Sequence, residues 1–63
     1  MNNSLPERRD ERDLSQGDLA EAVGVSRQTI NAIERGRYDP SLELAFELAD
    51  FFECRIEDLF SPE

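Results

Sequence analysis

The sequence has no histidine, no lysine and no tryptophan, and its one cysteine is Cys54. Histidine and cysteine supply most zinc ligands, and a lone thiol has no partner in the chain for a disulfide. Cys54 stands between Phe52 and Ile56, a setting that favours a small buried hydrophobe over a redox or metal role. The carboxylates do not cluster at ligand spacing, and no nucleophile is paired with a base. We therefore expect no metal, no cofactor and no enzymatic activity.

Long apolar runs are also missing, since none exceeds a few residues. A membrane-spanning helix or a signal peptide would need such a run, so we expect a soluble, cytoplasmic protein with no membrane partner. A chain of 63 residues makes one domain with a small core, and association with a second copy would add stability. This length leaves no room for a separate ligand-binding domain, so no small-molecule ligand is expected.

All seven cations are arginine and stand against fifteen carboxylates, which gives a net charge of −8. Strong acidity without lysine indicates a halophilic proteome, because at molar salt the Debye length is about 3 Å and carboxylate repulsion is screened. The alternative is an ordinary acidic protein. The formal charge is −3 over residues 1–23, +1 over residues 24–40 and −6 over residues 41–63. The middle segment is the only one that is not acidic.

Capping and turn residues predict an all-α fold of five short helices. Four segments begin directly after a serine that can cap a helix, namely Ser4, Ser15, Ser26 and Ser41. Glu7 and Asp18 stand three residues after two of these serines, the spacing of a capping box. Gly24 and Gly36 supply the positive φ that ends a helix, and Asp13 tolerates it better than most residues. The predicted helices cover about residues 5–12, 16–23, 27–35, 42–53 and 56–60.

Apolar residues recur at helical spacing in the predicted helices. Ile30 and Ile33 turn one face of the third helix toward the core. In the fourth helix the predicted core residues share one face: Leu42, Ala45, Leu48, Ala49 and Phe52. Leu44, Phe46 and Phe51 fall elsewhere on this helix, and such an apolar excess indicates either a wider buried face or an oligomer surface.

Residues 15–36 form two capped helices joined by a tight glycine turn, the layout of a helix-turn-helix. The pattern Ser15-Gln16-x-x-Leu19-Ala20-x-x-Val23-Gly24-Val25-Ser26-x-x-x-Ile30-x-x-Ile33-Glu34-x-Gly36 resembles the Xre/Cro/C1 family of regulators. The tail from Arg37 to Phe60 is similar to that of small stand-alone members. The resemblance implies one lambda-repressor-like domain over residues 1–63, with motif helices at about 16–23 and 27–35. It also implies a sequence-specific transcriptional regulator, a repressor, that binds double-stranded DNA as a homodimer.

The second motif helix is expected to read base edges in the major groove, which admits one helix. With Ile30 and Ile33 facing inward, Arg27, Gln28 and Asn31 point outward. Arginine can bind guanine O6 and N7, whereas glutamine or asparagine can bind adenine N6 and N7. These three residues are the predicted base contacts; the alternative is a solvated polar helix face.

Further residues are predicted to contact the DNA backbone. The family uses the glutamine at the position of Gln16 for a phosphate contact, where free N–H groups at a helix start favour an anion. Thr29, beside the groove face, can bond a phosphate or a base. Arg35, Arg37 and Tyr38 lie around the end of the recognition helix and are further phosphate candidates; the alternative for the arginines is solvated surface charge.

The resemblance also places Arg9 and Glu34 at the positions of a structural salt bridge between the first helix and the end of the recognition helix. Three positions depart from the family pattern. Arg8 replaces a large apolar residue, Glu53 replaces a glycine stop, and Arg55 replaces a capping serine or threonine.

The dimer interface is expected in the C-terminal half, with Leu44, Phe51 and Phe60 as candidates. A different class of function also fits the sequence. A helix-turn-helix can act as a protein-binding module, antitoxin-like or adaptor, whose acidic C-terminal half meets a basic surface, because a fold alone does not determine function.

Overall fold

The computed structural model describes residues 1–62 of the chain and contains five helices in those residues. They are α1 (Leu5–Glu11), α2 (Gln16–Val23), α3 (Arg27–Glu34), α4 (Leu42–Phe51) and α5 (Ile56–Leu59). The predicted fold of five short helices is confirmed. Two strands of two residues each, β1 (Asn2–Asn3) and β2 (Phe60–Ser61), were not predicted and pair antiparallel. No helix in residues 1–62 is long and apolar enough to cross a membrane.

Three of the four predicted serine caps are present. Ser15 Oγ accepts a hydrogen bond from Asp18 N at 2.9 Å, and Asp18 Oδ2 accepts one from Ser15 N at 3.0 Å, which completes a capping box. Ser26 Oγ and Ser41 Oγ each accept a bond from the N–H three residues later, at 3.2 and 3.1 Å. These bonds satisfy N–H groups that a helix start leaves without an intrahelical partner.

The predicted capping box of Ser4 and Glu7 is wrong. Ser4 N donates to Leu59 O at 2.9 Å and Ser4 Oγ donates to Asp58 O at 3.0 Å, so the serine is turned toward α5 by the neighbouring β1–β2 pairing. The side chain of Asn3 takes over at the helix start, where its Oδ1 accepts from Leu5 N at 3.2 Å.

Four residues at or after helix ends have positive φ. Gly24 and Gly36 have φ of 76° and 74°, as their glycine identity predicts. Asp13 and Glu53 also have φ of 57°. A side chain with a Cβ adopts this conformation at a cost, which is smallest for asparagine and aspartate. Glu53 therefore adopts the backbone of the glycine stop that it replaces.

The core lies where the helices meet, and its largest fully buried side chains are Leu5, Leu19, Ile30, Ile33, Leu48 and Leu59. The prediction for α4 is partly wrong. Leu42 is 70% exposed, whereas Leu44 is only 7% exposed. At ~100° per residue, the buried arc of α4 extends from Leu44 to Ala49, and Leu42 lies beyond its edge beside Phe46. Cys54 is half-buried and packs against the core.

Candidate nucleic-acid interface

The two motif helices α2 and α3 meet across a turn at Gly24. Val25 N donates to Ala20 O at 3.0 Å and closes the end of α2, while Ser26 caps α3. On α3, Ile30 and Ile33 are 0% and 2% exposed. Because these two residues fix the inner face of the helix, the opposite face is directed away from the core.

The predicted base contacts differ in their surroundings. Arg27 and Gln28 are exposed in the first turn of α3. The stem of Arg27 passes near the start of α2, since a methyl group at Gly17 would lie 3.9 Å from Arg27 Cδ. Asn31 is half-buried, and its Nδ2 donates to Gln16 Oε1 at 3.3 Å. Two of the three side chains therefore extend into solvent, and the third is held by α2.

Arg9 and Glu34 form a two-pronged ion pair. Arg9 Nε lies 2.7 Å from Glu34 Oε2, and Arg9 Nη2 lies 3.1 Å from Glu34 Oε1. Arg9 Nη1 also donates to Leu14 O at 2.9 Å. The hydrogen bonds to the Glu34 carboxylate raise the pKa of Arg9 above its ordinary value. The pair joins α1 to the last residue of the recognition helix.

Gln16 extends this ion pair into a longer polar chain. Its Nε2 donates to Glu34 Oε1 at 2.9 Å while its Oε1 accepts from Asn31. We call the connected side chains Arg9, Glu34, Gln16 and Asn31 the polar relay. The sequence predicted a phosphate contact for Gln16 but not its hydrogen bonds to Glu34 and Asn31. The spacing of 15 to 25 residues between the partners carries no local signal for them.

The other predicted backbone contacts lie in the first turn of α3 and directly after its end. Thr29 is half-buried, and its Oγ1 lies 3.0 Å from Ser26 Oγ in a hydrogen bond. Arg35, Arg37 and Tyr38 are exposed at and after the end of the helix. Tyr38 shares a shallow groove with Val25 and Thr29. Tyr38 therefore lies on the same side of the molecule as the first turn of α3.

Asn3 is a structural contact of α3 that the sequence did not indicate. Its Nδ2 donates to Ile33 O at 2.9 Å and to Glu34 O at 3.4 Å, both at the carboxyl end of the helix. Through β1, which pairs with β2, this end of the recognition helix is attached to the C-terminal part of the domain. The bond spans 30 residues in sequence, so no local pattern could have predicted it.

The ion pair also changes the charge of the outward face. Residues 24–40 sum to +1, but the carboxylate of Glu34 is only 6% exposed and is bound to Arg9. The exposed charges of this segment are then Arg27, Arg35 and Arg37 against Asp39. The surface around α3 is therefore more positive than its sequence suggests.

The three interface candidates in the C-terminal half have different environments. Leu44 belongs to the core of its own chain, so its side chain has no surface to offer a partner and this candidate is withdrawn. Phe51 is half-buried beneath the guanidinium of Arg12, which lies 5.5 Å from the ring centroid. Phe60 is half-buried in a shallow apolar groove that Leu42 and Ile56 also line.

The apolar side chains that α4 does expose are Leu42 and Phe46, at 70% and 58%. They are one helical turn apart. Ile56 lines the grooves beside both of them, and Phe60 lines the one beside Leu42. We call Leu42, Phe46, Ile56 and Phe60 the α4–α5 apolar surface.

Comparisons with known proteins show which family the chain belongs to. Residues 7–59 match the family described as helix-turn-helix. The chain is 58% identical over 63 residues to an uncharacterized HTH-type transcriptional regulator of Methanocaldococcus jannaschii, covering all of this chain and 96% of that one. It is 41% identical over 51 residues to the cryptic phage CTXphi transcriptional repressor RstR of Vibrio cholerae, covering 81% and 46% of the two chains.

Solved structures have the same fold. The restriction-modification controller protein C.AhdI from Aeromonas hydrophila superposes with a TM-score of 0.79 at 34% identity, covering 89% of this chain and 85% of that one. The clp gene regulator ClgR from Corynebacterium glutamicum gives 0.77 at 29% identity, covering 87% and 58%. The expected family is confirmed: the chain belongs to the Xre/Cro/C1 type of helix-turn-helix transcriptional regulators.

Proposed function

We propose that the chain is a sequence-specific DNA-binding regulator that represses transcription by occupying an operator in the cytoplasm. The proposal rests on which side chains of α3 are buried and which are exposed. Its buried isoleucines anchor one face in the core, and Arg27 and Gln28 are exposed at its amino end. A helix presented in this way fits the major groove and reads it with its first residues.

The exposed side chains divide into two roles. Arg27 suits a guanine and Gln28 suits an adenine, because each side chain offers two groups that match the two groups of that base. Arg35, Arg37 and Tyr38 hold the phosphates beyond the end of α3, and the N–H groups at the start of α2 hold another. Phosphate contacts set the position of the protein on the duplex, and base contacts set the sequence.

The active form is a homodimer joined through the α4–α5 apolar surface. A domain of 63 residues has a small core, and covering Leu42 and Phe46 removes its two most exposed large apolar side chains from water. A two-fold axis at this surface gives two copies of α3 that read half-sites one DNA turn apart, roughly 34 Å. The operator is then an inverted repeat.

Selection of bound duplexes from a random DNA library, repeated at several KCl concentrations, tests this function. We expect enrichment of an inverted repeat whose half-sites are about one turn apart. No enrichment of any sequence, together with stable capture of a protein partner, would instead favour the protein-binding module with its acidic C-terminal half. The proposed regulator has no enzymatic role and needs no cofactor.

A further inference from the structure

The polar relay runs from the interior of the domain to one of the side chains proposed to read DNA. Glu34 is at its centre, with a side chain that is only 6% exposed. Its carboxylate is held by Arg9 and accepts Nε2 of Gln16 at 2.9 Å, and Oε1 of Gln16 accepts Nδ2 of Asn31 at 3.3 Å. The relay therefore ends at the outward face of α3.

The negative charge of Glu34, at the inner end of the polar relay, determines the orientation of the side-chain amides of Gln16 and Asn31. An ionised carboxylate is an acceptor only, so the NH₂ group of Gln16 must face Glu34. This leaves Oε1, the carbonyl oxygen of Gln16, on the side of Asn31. A carbonyl oxygen is also an acceptor only, so Asn31 must turn its own NH₂ group toward Gln16. The orientation of the asparagine amide thus follows from a buried ion pair two side chains away.

An amide held in one orientation makes Asn31 prefer bases that offer a hydrogen-bond donor in the major groove. With one N–H of Nδ2 bound to Gln16, the amide of Asn31 cannot be reversed. Oδ1 then keeps a fixed position with the second N–H beside it, and the base atom opposite Oδ1 must be a donor. Adenine N6 and cytosine N4 are major-groove donors, whereas guanine and thymine offer only acceptors and a methyl group. A freely rotating asparagine could turn its NH₂ group outward and bind guanine or thymine equally well.

We propose that Glu34 and Gln16 are positioning residues that make Asn31 select a base with an exocyclic amine, adenine or cytosine, and reject guanine and thymine. The inference rests on the proposed DNA-binding function and specifies the base class that one position of each half-site must have. Gln16 acts here through the orientation that it imposes on Asn31, in addition to any phosphate that its second N–H binds.

The test starts from the operator selected by the unaltered protein and measures binding to duplexes with each base at each half-site position. Asn31→Ala identifies the position at which Asn31 acts, because discrimination is lost there. At that position we expect the unaltered chain to favour adenine or cytosine over guanine and thymine by about fivefold or more. In Gln16→Met, which keeps the length of the side chain without its amide, this ratio should fall below about twofold.

If Gln16 has only a structural or phosphate-binding role, the measurement on Gln16→Met gives a different result. Gln16→Met would then weaken all duplexes equally and leave the base preference unchanged, as expected for the matched variant Arg35→Ala, which loses a cation outside the relay. That result in a folded Gln16→Met protein would overturn the proposal. A preference of the unaltered chain for guanine or thymine at the Asn31 position, or no position affected by Asn31→Ala, would overturn it without any Gln16 variant.

The failure of the proposed function is a separate outcome. If the unaltered chain selects no sequence, DNA reading itself is refuted and the relay has nothing to orient. If the unaltered chain selects a sequence but favours guanine or thymine at the Asn31 position, the proposed DNA-binding function is supported. Only the proposed role of the polar relay is then refuted.

Discussion

Single residues at the starts of the motif helices determine how firmly α2 and α3 are held. Asp18 is the clearest case, because its carboxylate accepts the backbone N–H of Ser15 while its own N–H donates to the serine hydroxyl. The N–H of Ser15 first, and then its hydroxyl, lower the pKa of Asp18 below the ordinary value. The charged form is therefore the one that the folded state favours.

This lowered pKa predicts a pH-dependent effect of Asp18→Asn. A carboxyl group whose pKa is lower in the folded state adds stability above its unfolded-state pKa of about 3.9, and the gain is lost as the pH falls through the folded-state value. The variant should melt at a lower temperature than the unaltered chain at pH 7. The two melting temperatures should converge below about pH 4. A difference that stays constant from pH 7 to pH 3 would contradict this account of the capping box.

Single residues also show which contacts could be predicted from the sequence. Ser15, Ser26 and Ser41 were predictable as caps because a cap and its partner are three residues apart. Ser4 was not, because its hydroxyl binds a carbonyl 54 residues away. The same distinction applies at the site: exposure of Arg27 and Gln28 follows from the helical period, whereas the bonds of Gln16 depend on how α2 and α3 cross.

At the scale of elements, the ends of the helices carry local strain. Glu53 follows α4 with φ of 57°, which is unfavourable for a residue with a Cβ. The N–H of the next residue, Cys54, donates to Ala49 O at 3.0 Å, so the left-handed residue is part of the bond pattern that closes the helix. The domain therefore keeps a strained backbone at a position where glycine would be free of strain.

Glu53→Gly should increase the free energy of unfolding by about 0.5–1 kcal/mol. The relief of left-handed strain, about 1–2 kcal/mol, is partly offset by the greater freedom of glycine in the unfolded chain. Glu47→Gly is the matched control, since it removes an exposed glutamate from the interior of α4 and should decrease stability by about 1 kcal/mol. Urea unfolding measures both. Equal losses in the two variants would show that position 53 is not strained.

The α4 helix also shows why its surface was predicted incorrectly. Its sequence is apolar on more than half of its circumference, so the period alone does not say which edge of the apolar arc is buried. The packing of α4 into the core of the domain decides this and buries Leu44 while leaving Leu42 exposed. The two-residue strands β1 and β2 were also beyond prediction, because an alternating pattern needs more residues than they contain.

Phe46 provides a test of the α4–α5 apolar surface. Phe46→Glu places a charge at the proposed contact and should convert the dimer to monomers, while helix content stays the same because this side chain is already 58% exposed in the single chain. Sedimentation equilibrium and circular dichroism measure the two properties. Glu47→Gln, on the neighbouring exposed position, should remain dimeric. A monomeric unaltered chain at about 100 μM, or a dimeric Phe46→Glu, would refute this interface.

At the scale of the whole molecule, charge is divided between two parts. Residues 41–63 carry −6, whereas the segment that contains α3 carries +1 and has its one helical carboxylate paired with Arg9. We expect such a molecule to approach DNA with the face that contains α3 and to release few counterions when it binds. Base contacts then supply a larger share of the affinity than in a basic repressor.

The acidic body predicts that salt stabilises the domain. At molar ionic strength the repulsion among carboxylates is screened, and we expect the melting temperature in 2 M KCl to exceed that in dilute buffer by roughly 5 °C, equivalent to about 1 kcal/mol. Removing two charges from α4 with Glu43→Gln and Glu47→Gln should reduce this gain. A melting temperature that is unchanged or lower in KCl would refute the halophilic interpretation.

The outward face of α3 is proposed to read the base sequence, while the residues after α3 bind the DNA backbone. Binding of Gln28→Ala and Arg35→Ala to the selected operator and to random duplex DNA tests this division most directly. Gln28→Ala should lose about 1–3 kcal/mol on the operator and relax the preference at one base position, whereas Arg35→Ala should weaken binding to all sequences alike. Equal losses on operator and random DNA for both variants would contradict the claim.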